Sequence, residues 1–363
     1  MLHLLESLQI LRIKVWQGML FCGLSALGAM TLPEVASANV RITSLSPKAI
    51  VVRDGVRKPA RFWMLLKTDD LIQPEINTVL EVICADGRLQ TVEAGTFSGL
   101  AKICPQPPIR TSNTFGSRGE DDFLKYLDLR FYTLTLLDEK QVIRWQEVNG
   151  ATGYRVQLGT RQETLLDRQV DCPKVSYEGN QPLKLGVEYD FLVKALGSVE
   201  NSAFRLRFKV LTEKESQDLN KRIAVIQSNQ GLPEIAKAIA LADIYNEYGL
   251  AEQAIAVLEK ASLSGQSVAI AERMLGNFYL QVGLRDVAEL HYRRALELAQ
   301  SEQNLEVLAE AQVGLAKVFV VSGKKQAAAL RLQKALDGYS GLQDKSKIEA
   351  ISGWLKKLDV GKS

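Results

Sequence analysis

Residues capable of chemistry are few in this chain of 363 amino acids. Its two histidines, His3 and His291, lie near no nucleophile motif, and the chain lacks a phosphate-binding glycine loop, a dinucleotide-binding glycine motif, a serine elbow and a paired Cys-x-x-Cys. We interpret His291 as a partly buried helix residue. A pair of glycosidase carboxylates leaves no mark in one sequence, because the two acids need only be close in space. Because the sequence contains none of the recognisable motifs named above, we expect no enzymatic activity, no cofactor and no metal.

The composition predicts a folded protein, and its overall charge does not indicate a particular kind of partner. Hydrophobic residues make up 46% of the chain, which is enough apolar material for about two to three domains. The 45 basic and 42 acidic residues give a net charge of +3. Because this balance is nearly even, it argues against a nucleic-acid groove or a polybasic membrane patch.

Residues 1–38 have the layout of a secretory signal. Arg12 and Lys14 supply a positive end, an uncharged apolar stretch follows, and Ala36-Ser37-Ala38 forms a small-x-small cleavage site. The competing interpretation is a retained membrane anchor, since Val15–Leu32 carries no charge and nearly reaches the length of about 20 residues that a spanning helix needs. We expect an exported protein, periplasmic or extracellular, that meets a membrane only through an uncleaved N-terminal segment.

Three cysteines remain after such cleavage: Cys84, Cys104 and Cys172. In an oxidising compartment Cys84 and Cys104 are the expected pair, because both fall in the same small domain. A bridge over that loop contributes about 3 kcal/mol. The alternative is that all three are buried thiols, and Cys172 stays unpaired in either case.

Residues 39–105 show a β pattern throughout. Short runs of β-branched or alternating residues predict strands at 40–42, 49–52, 78–83 and 90–92, and Asp54-Gly55 and Asp86-Gly87 signal turns. The segments Cys84-Ala85-Asp86-Gly87, Val92-Glu93-Ala94-Gly95 and Cys104-Pro105 resemble the FecR-like or SH3-like β-domains of exported cyanobacterial proteins. A proline-, serine- and glycine-rich linker at 106–126 follows.

Residues 127–212 predict a second β-domain. Trp145 lies in a strand, Gly150–Val156 reads Gly-Ala-x-x-Tyr-x-Val, and Leu185-Gly186 precedes Tyr189 at the start of a late strand. These features resemble the fibronectin type III sandwich. The resemblance implies that Trp145 fills the core and that Tyr189 makes the corner hydrogen bond of such folds. Residues 213–230 read as a bridging helix, with apolar residues at helical spacing.

One pattern of small, aromatic and glycine residues occurs three times after residue 231. Its copies have the same internal spacing: Leu241-Ala242, Tyr245, Gly249, Ala254, Leu258 and Ala261; then Leu275-Gly276, Tyr279, Gly283, Ala288, Tyr292 and Ala295; then Leu315-Ala316, Phe319, Gly323, Ala328, Leu332 and Ala335. The small residue lets two helices approach closely, the aromatic fills the gap beside it, and the glycine ends the first helix.

The period of this pattern resembles the tetratricopeptide repeat. From Ala242 the spacing is 34 residues to Gly276 and then 40 to Ala316, which predicts an insertion of about six residues at 301–307. The resemblance implies an α–α solenoid over 231–363, with three helix pairs and a closing helix at Lys345–Leu358.

In tetratricopeptide proteins the first helix of each pair lines a concave face that commonly holds a peptide or a partner's helix. We therefore predict a partner-binding set on this face, which consists of Asp243, Asn246, Arg273, Asn277, Gln281 and Lys317. The asparagines and the glutamine match a peptide backbone, and the two cations match a carboxylate. The alternative is that these residues are merely solvated.

The sequence thus predicts a multidomain α and β protein: a small β-barrel or sandwich, a fibronectin type III-like sandwich, and a tetratricopeptide solenoid. We expect a non-enzymatic adaptor that binds a protein or peptide, or further copies of the chain. Two other hypotheses remain open. The β-domains of an envelope structural protein would bind peptidoglycan or polysaccharide, and a regulator would sense a ligand through its first β-domain.

Overall fold

A computed structural model of the chain describes residues 40–84, 87–104, 131–136, 142–160, 162–178, 183–197, 203–263, 265 and 267–359. The predicted signal segment and linker therefore lie outside the described residues. Within these ranges, no helix combines the length and the apolar character that crossing a membrane requires. Two β-rich parts come first along the chain, and a helical repeat region follows.

The N-terminal β-unit (residues 40–104) consists of two four-stranded antiparallel sheets, in the orders β4-β1-β6-β7 and β3-β2-β5-β8. Its elements are β1 (Val40–Ile42), β2 (Ala49–Arg53), β3 (Val56–Pro59), β4 (Leu65–Leu66), β5 (Leu71–Pro74), β6 (Leu80–Ile83), β7 (Leu89–Val92), β8 (Ser98–Gly99) and the single turn α1 (Leu100–Ile103). Alternate residues of the strands, such as Ile42, Val51, Ile72 and Val82, point inward and are fully buried. They form a core of their own.

The middle β-unit (residues 131–210) has a five-stranded sheet in the order β12-β11-β14-β15-β9 and a two-stranded sheet, β10-β13. Its strands are β9 (Phe131–Leu136), β10 (Val142–Arg144), β11 (Gly153–Gly159), β12 (Thr164–Val170), β13 (Lys174–Ser176), β14 (Glu188–Leu196) and β15 (Ala203–Val210). All pairs are antiparallel except β15 with β9. Trp145 is buried, and its ring centroid lies 5.4 Å from that of Tyr154 and 5.9 Å from that of Phe191. The Tyr189 hydroxyl accepts a hydrogen bond of 2.7 Å from the backbone N–H of Lys184.

Helices occupy the rest of the described chain. They are α2 (Glu213–Ser228), α3 (Glu234–Glu247), α4 (Ala251–Leu263), α5 (Ala269–Gln281), α6 (Arg285–Ser301), α7 (Leu305–Val321), α8 (Lys325–Gly341) and α9 (Lys345–Asp359). A capping box begins α2, because the Thr212 side chain accepts from the Glu215 N–H while the Glu215 carboxylate accepts from the Thr212 N–H.

The helical array (α3–α9) is a tetratricopeptide-like repeat of three helix pairs and a closing helix. Gly249, Gly283 and Gly323 follow the first helix of each pair with φ of 73°, 81° and 72°, in the left-handed region that glycine adopts without strain.

The insertion predicted at 301–307 does not form a separate loop. Both α6 and α7 have 17 residues against 13 in α4 and 14 in α3, so the additional residues lengthen two helices.

Candidate partner-binding groove

The first helices α3, α5 and α7, together with α9, form one face of the array, which we call the groove face. Tyr292 of α6 reaches this face from the second layer and is 0% exposed. It passes between two glycines. A Cβ on Gly276 would lie 2.7 Å from the ring, and one on Gly314 would lie 2.1 Å from it. The Tyr292 hydroxyl donates a hydrogen bond of 2.6 Å to Oδ1 of Asn277. Asn277 is exposed and held in place, so its amide nitrogen can donate to a ligand.

Gly276 belongs to the predicted repeat pattern, but Gly314 does not, and sequence reasoning missed it. A signal was present. A glycine inside a helix costs about 1 kcal/mol relative to alanine, so its occurrence in α7 indicates a packing requirement.

Asp243, one of the predicted partner-binding residues, contacts the chain's own N-terminal β-unit. Its Oδ2 lies 3.1 Å from Nε of Arg41 and accepts a long hydrogen bond of 3.4 Å from Nε1 of Trp63. Trp63 is only 2% exposed and packs in the same apolar core as the helices. The Asp243 carboxylate is therefore engaged by the chain's own N-terminal β-unit, and 26% of its side chain stays exposed.

The N-terminal β-unit meets the array at two further points, in the turns that precede α7 and α9. The ammonium group of Lys58 donates a hydrogen bond of 3.0 Å to the carbonyl oxygen of Leu342, just before α9. Arg61 donates one of 3.4 Å to the side-chain oxygen of Asn304, the N-cap of α7. Together with Asp243, these contacts extend from α3 to the start of α9.

Apolar packing also joins the N-terminal β-unit to α2. A Cβ on Gly87 would lie 2.8 Å from Cγ1 of Val225 in α2. In the turn before α3, a Cβ on Gly231 would lie 3.2 Å from Cδ2 of Leu89. The backbones at these two glycines are therefore close to neighbouring side chains, as in a tightly packed interface.

Glu306 lies in the first turn of α7, near the same interface. Burial raises the pKa of Glu306, and the nearby Glu310 carboxylate raises it further, while Arg53, Arg61 and Arg273 act in the opposite direction. Arg53 and Arg61 of the N-terminal β-unit thus lie near the acidic Glu306 of the array, so the two surfaces have complementary charges.

Three of the predicted residues lie together on the part of the groove face beyond Asp243. Arg273 forms an ion pair with Glu310, with Nε and Oε2 2.9 Å apart. Arg273, Asn277 and Lys317 line one cavity of about 150 Å³, to which α5, α7, α8 and α9 all contribute side chains. Asn246 and Gln281 are half-buried on the first two helices and do not line this cavity.

His291 is buried in α6 and takes part in a structural pair. Its Nδ1 lies 2.7 Å from Oε2 of Glu272, and its ring stacks on Tyr279 at 5.1 Å between centroids. Burial raises the pKa of Glu272, but hydrogen bonds from His291 and Ser267 outweigh it and lower the pKa below its ordinary value. Within the described residues, no group of three or more His, Cys, Asp or Glu side chains could hold a metal.

A disulfide joins Cys84 at the end of β6 to Cys104 after α1. It ties the last element of the N-terminal β-unit to its sheet. Cys172, in the turn between β12 and β13, is an exposed free thiol.

No protein-family model matches the chain, and no curated protein does. Among solved structures, BtubC (BKLC) from P. vanneervenii is 16% identical over 41% of this chain and 73% of that chain, with a TM-score of 0.30. Two structures of MamA are 18% and 20% identical over 40% of this chain and 90% and 80% of theirs, with TM-scores of 0.29 and 0.30. The tetratricopeptide-like character of the array rests on its own repeats and antiparallel helix pairs.

Proposed function

We propose that this chain is an exported, non-enzymatic adaptor that binds a protein or peptide on the groove face of its helical array. In this proposal the N-terminal β-unit is of the FecR-like or SH3-like type and the middle β-unit of the fibronectin type III type. The buried Trp145 and the Tyr189–Lys184 hydrogen bond support the latter.

One observation carries the proposal: the groove face already binds a folded protein surface. Trp63 of the N-terminal β-unit is buried against the array, and Arg41 pairs with Asp243. A buried aromatic beside a charge pair is the composition of a protein-binding hot spot. A face that accommodates such a surface from its own chain is suited to bind another one beside it.

The part left for a partner lies around Asn277. This residue is exposed, and Arg273 and Lys317 flank it in the cavity. In the proposal these three residues make the partner contacts, and Asp243 instead holds the N-terminal β-unit.

Site-specific crosslinking in the cells that express the protein tests the adaptor role. A photoreactive phenylalanine replaces Asn277 on the groove face or, as a matched control, Leu290, which is 55% exposed on the second helix α6. We expect covalent partner adducts from position 277 and none from position 290. The adduct should weaken when Arg273→Ala is added.

The opposite pattern overturns the proposal. Adducts from position 290 alone would place the interaction on the other side of the array. The absence of adducts from both positions, at wild-type expression levels, would show that the array binds no partner in these cells.

A further inference from the structure

Apolar side chains project from one end of the N-terminal β-unit. Leu45 follows β1, Ile76 and Val79 lie in the turn between β5 and β6, and Phe97 precedes β8. Leu45, Ile76 and Val79 are 54%, 78% and 71% exposed, and Phe97 is exposed as well. We call these four residues the apolar tip. Exposed apolar residues are ordinary when they are scattered, whereas a group of them at one end of a unit indicates a contact surface.

Two strands place the apolar tip at the end of the β-unit that faces away from the array. The strand β6 continues into the turn at Gly87, which packs against α2. Val79 precedes β6 and therefore lies at the opposite end of this strand. Likewise, β2 ends at Arg53, near Glu306 of the array, and the loop that carries Leu45 precedes β2. The apolar tip and the surface that docks on the array are thus at opposite ends of the β-unit.

Backbone hydrogen bonds hold the three loops of the apolar tip together. The N–H of Glu75 donates one of 2.9 Å to the carbonyl oxygen of Lys48, which joins the β5–β6 turn to the β1–β2 loop. The N–H of Gly95 donates another of 2.9 Å to the carbonyl oxygen of Pro74, which joins the β7–β8 loop to the same turn. A Cβ on Gly95 would lie 3.5 Å from Cγ1 of Ile76. Because the loops support one another, the apolar side chains are exposed by the fold itself.

The charges near the apolar tip give it no preference for an anionic partner. Lys48 and Glu75 are exposed in adjacent loops, and Glu81 is half-buried in β6. Lys102 forms an ion pair with Glu93, with Nζ and Oε2 2.7 Å apart. Three carboxylates thus stand against two ammonium groups, so an affinity of this surface for a partner comes from its apolar side chains.

The small size of the apolar tip indicates which kind of partner it fits. Four side chains expose on the order of a few hundred Å², whereas a stable protein interface buries about 800 Å² on each partner. The four side chains also protrude from loops, so a protein partner would need a matching pocket for each of them. A lipid bilayer needs no such pockets, because its acyl region accepts apolar groups of any shape.

We propose that the apolar tip inserts into the surface of a lipid bilayer. Leu45, Ile76 and Val79 enter the acyl region to the depth of one side chain, and the hydrogen-bonded loops stay among the headgroups. The array then lies on the far side of the β-unit from the bilayer. This inference goes beyond the proposed function and does not depend on it. It adds a membrane contact to the one predicted for the N-terminal segment.

A fluorescent label beside the apolar tip measures insertion in the intact protein. Cys172→Ser removes the exposed free thiol, and Ser46→Cys, next to Leu45, then carries a polarity-sensitive fluorophore. The control label replaces Leu290, which is exposed on α6 of the array. The probe is a phosphatidylcholine vesicle at up to millimolar lipid. We expect the emission at position 46 to shift to the blue and to be shielded from a water-soluble quencher, while position 290 stays accessible.

The control label separates the apolar tip from the N-terminal segment. An apolar N-terminal segment that holds the chain on the vesicle would leave a label at position 46 as accessible to the quencher as one at position 290. Equal accessibility at the two positions, with or without shielding, would overturn the proposal.

Substitutions connect the insertion to particular side chains. Ile76→Ser and Val79→Ser remove apolar surface from the tip, and each should raise the lipid concentration at half-maximal signal by about threefold to tenfold. Leu330→Ser is the matched control, because this leucine is exposed on α8 of the array, and it should leave that concentration unchanged. The helical circular dichroism signal should be the same in all three variants, since exposed side chains contribute little to stability. An equal rise in all three would show a loss of general hydrophobicity and refute the role of the tip.

Lipid charge and protein concentration distinguish the remaining alternatives. Adding phosphatidylglycerol to the vesicles should not tighten binding, because the carboxylates near the tip outnumber the ammonium groups. Binding that requires the anionic lipid would contradict apolar insertion. A blue shift that appears without vesicles, grows with protein concentration and is lost in Ile76→Ser would show that the tip joins two copies of the chain, and the proposal would be wrong.

The membrane contact and the adaptor role fail separately. Shielding of position 46 without partner adducts from position 277 would keep the membrane contact and refute the adaptor. Adducts from position 277 without shielding of position 46 would keep the adaptor and refute the membrane contact.

Discussion

The Gly314→Ala substitution tests whether Tyr292 is held between the first helices as described. Alanine is the better helix former by about 1 kcal/mol, so propensity alone predicts a more stable protein. However, the new Cβ would lie 2.1, 2.4 and 2.5 Å from Cε1, Cζ and Cδ1 of Tyr292. Such overpacking costs about 1–3 kcal/mol or more. Moving the ring also removes the hydrogen bond to Asn277, which contributes about 1 kcal/mol.

We therefore expect Gly314→Ala to destabilise the array by about 1–3 kcal/mol, despite its favourable propensity. Denaturant unfolding followed by the helical circular dichroism signal measures this change. The matched control is Gly353→Ala in α9, where an added Cβ would meet no atom within 4 Å. Because only the propensity changes there, the control should be stabilised by about 0.5–1 kcal/mol.

A double substitution identifies the cause. Tyr292→Leu removes the ring atoms that the new methyl group would meet. Adding Gly314→Ala to it should cost at least about 1 kcal/mol less than adding the same change to the wild type. If Gly314→Ala is as stabilising as Gly353→Ala, or if the double-mutant cycle shows no coupling, Tyr292 does not pass between these helices.

Two further predictions concern the N-terminal β-unit. Trp63→Ala should destabilise the protein by about 3–5 kcal/mol and speed hydrogen exchange of the backbone amides in α3. The control is Phe97→Ala, at a residue that is 42% exposed, and it should leave the exchange in α3 unchanged. Equal exchange rates in the two variants would contradict the buried interface. Cys84→Ser should lower the free energy of unfolding of the N-terminal β-unit by about 3 kcal/mol, which urea unfolding measures. Cys172→Ser, at the exposed free thiol, should not shift the urea midpoint. Equal shifts in the two variants would show that the disulfide does not stabilise the β-unit.

The helical array is the part of the fold that the sequence predicts best. Ala242, Gly276 and Ala316 occupy the same position in each copy of the repeat because the helices of the array approach closely there, and the two alanines are fully buried. This constraint is local in sequence and is repeated, so it leaves a periodic pattern. The glycines that follow the first helices, with backbone φ in the left-handed region, form a second periodic pattern.

The docking of the N-terminal β-unit leaves no such pattern. Trp63 and Asp243 are 180 positions apart, and Lys58 and Leu342 are 284 apart. From the sequence, a tryptophan in a short β-domain is predicted to be an ordinary core residue. Its contact with the array depends on how the two folded units pack against each other, which the sequence does not show. For the same reason the sequence predicts Asp243 only as a residue for an external partner.

Ion pairs within the chain also set the charge of α3 on the groove face. Asp243 is paired with Arg41, and Glu247 is paired with Arg222 of α2 at 2.6 Å, so two acids of α3 are neutralised within the chain. In the proposed adaptor, a partner beside the N-terminal β-unit would therefore meet an α3 whose Asp243 and Glu247 are already paired, and the pairing of Asp243 depends on the docked β-unit.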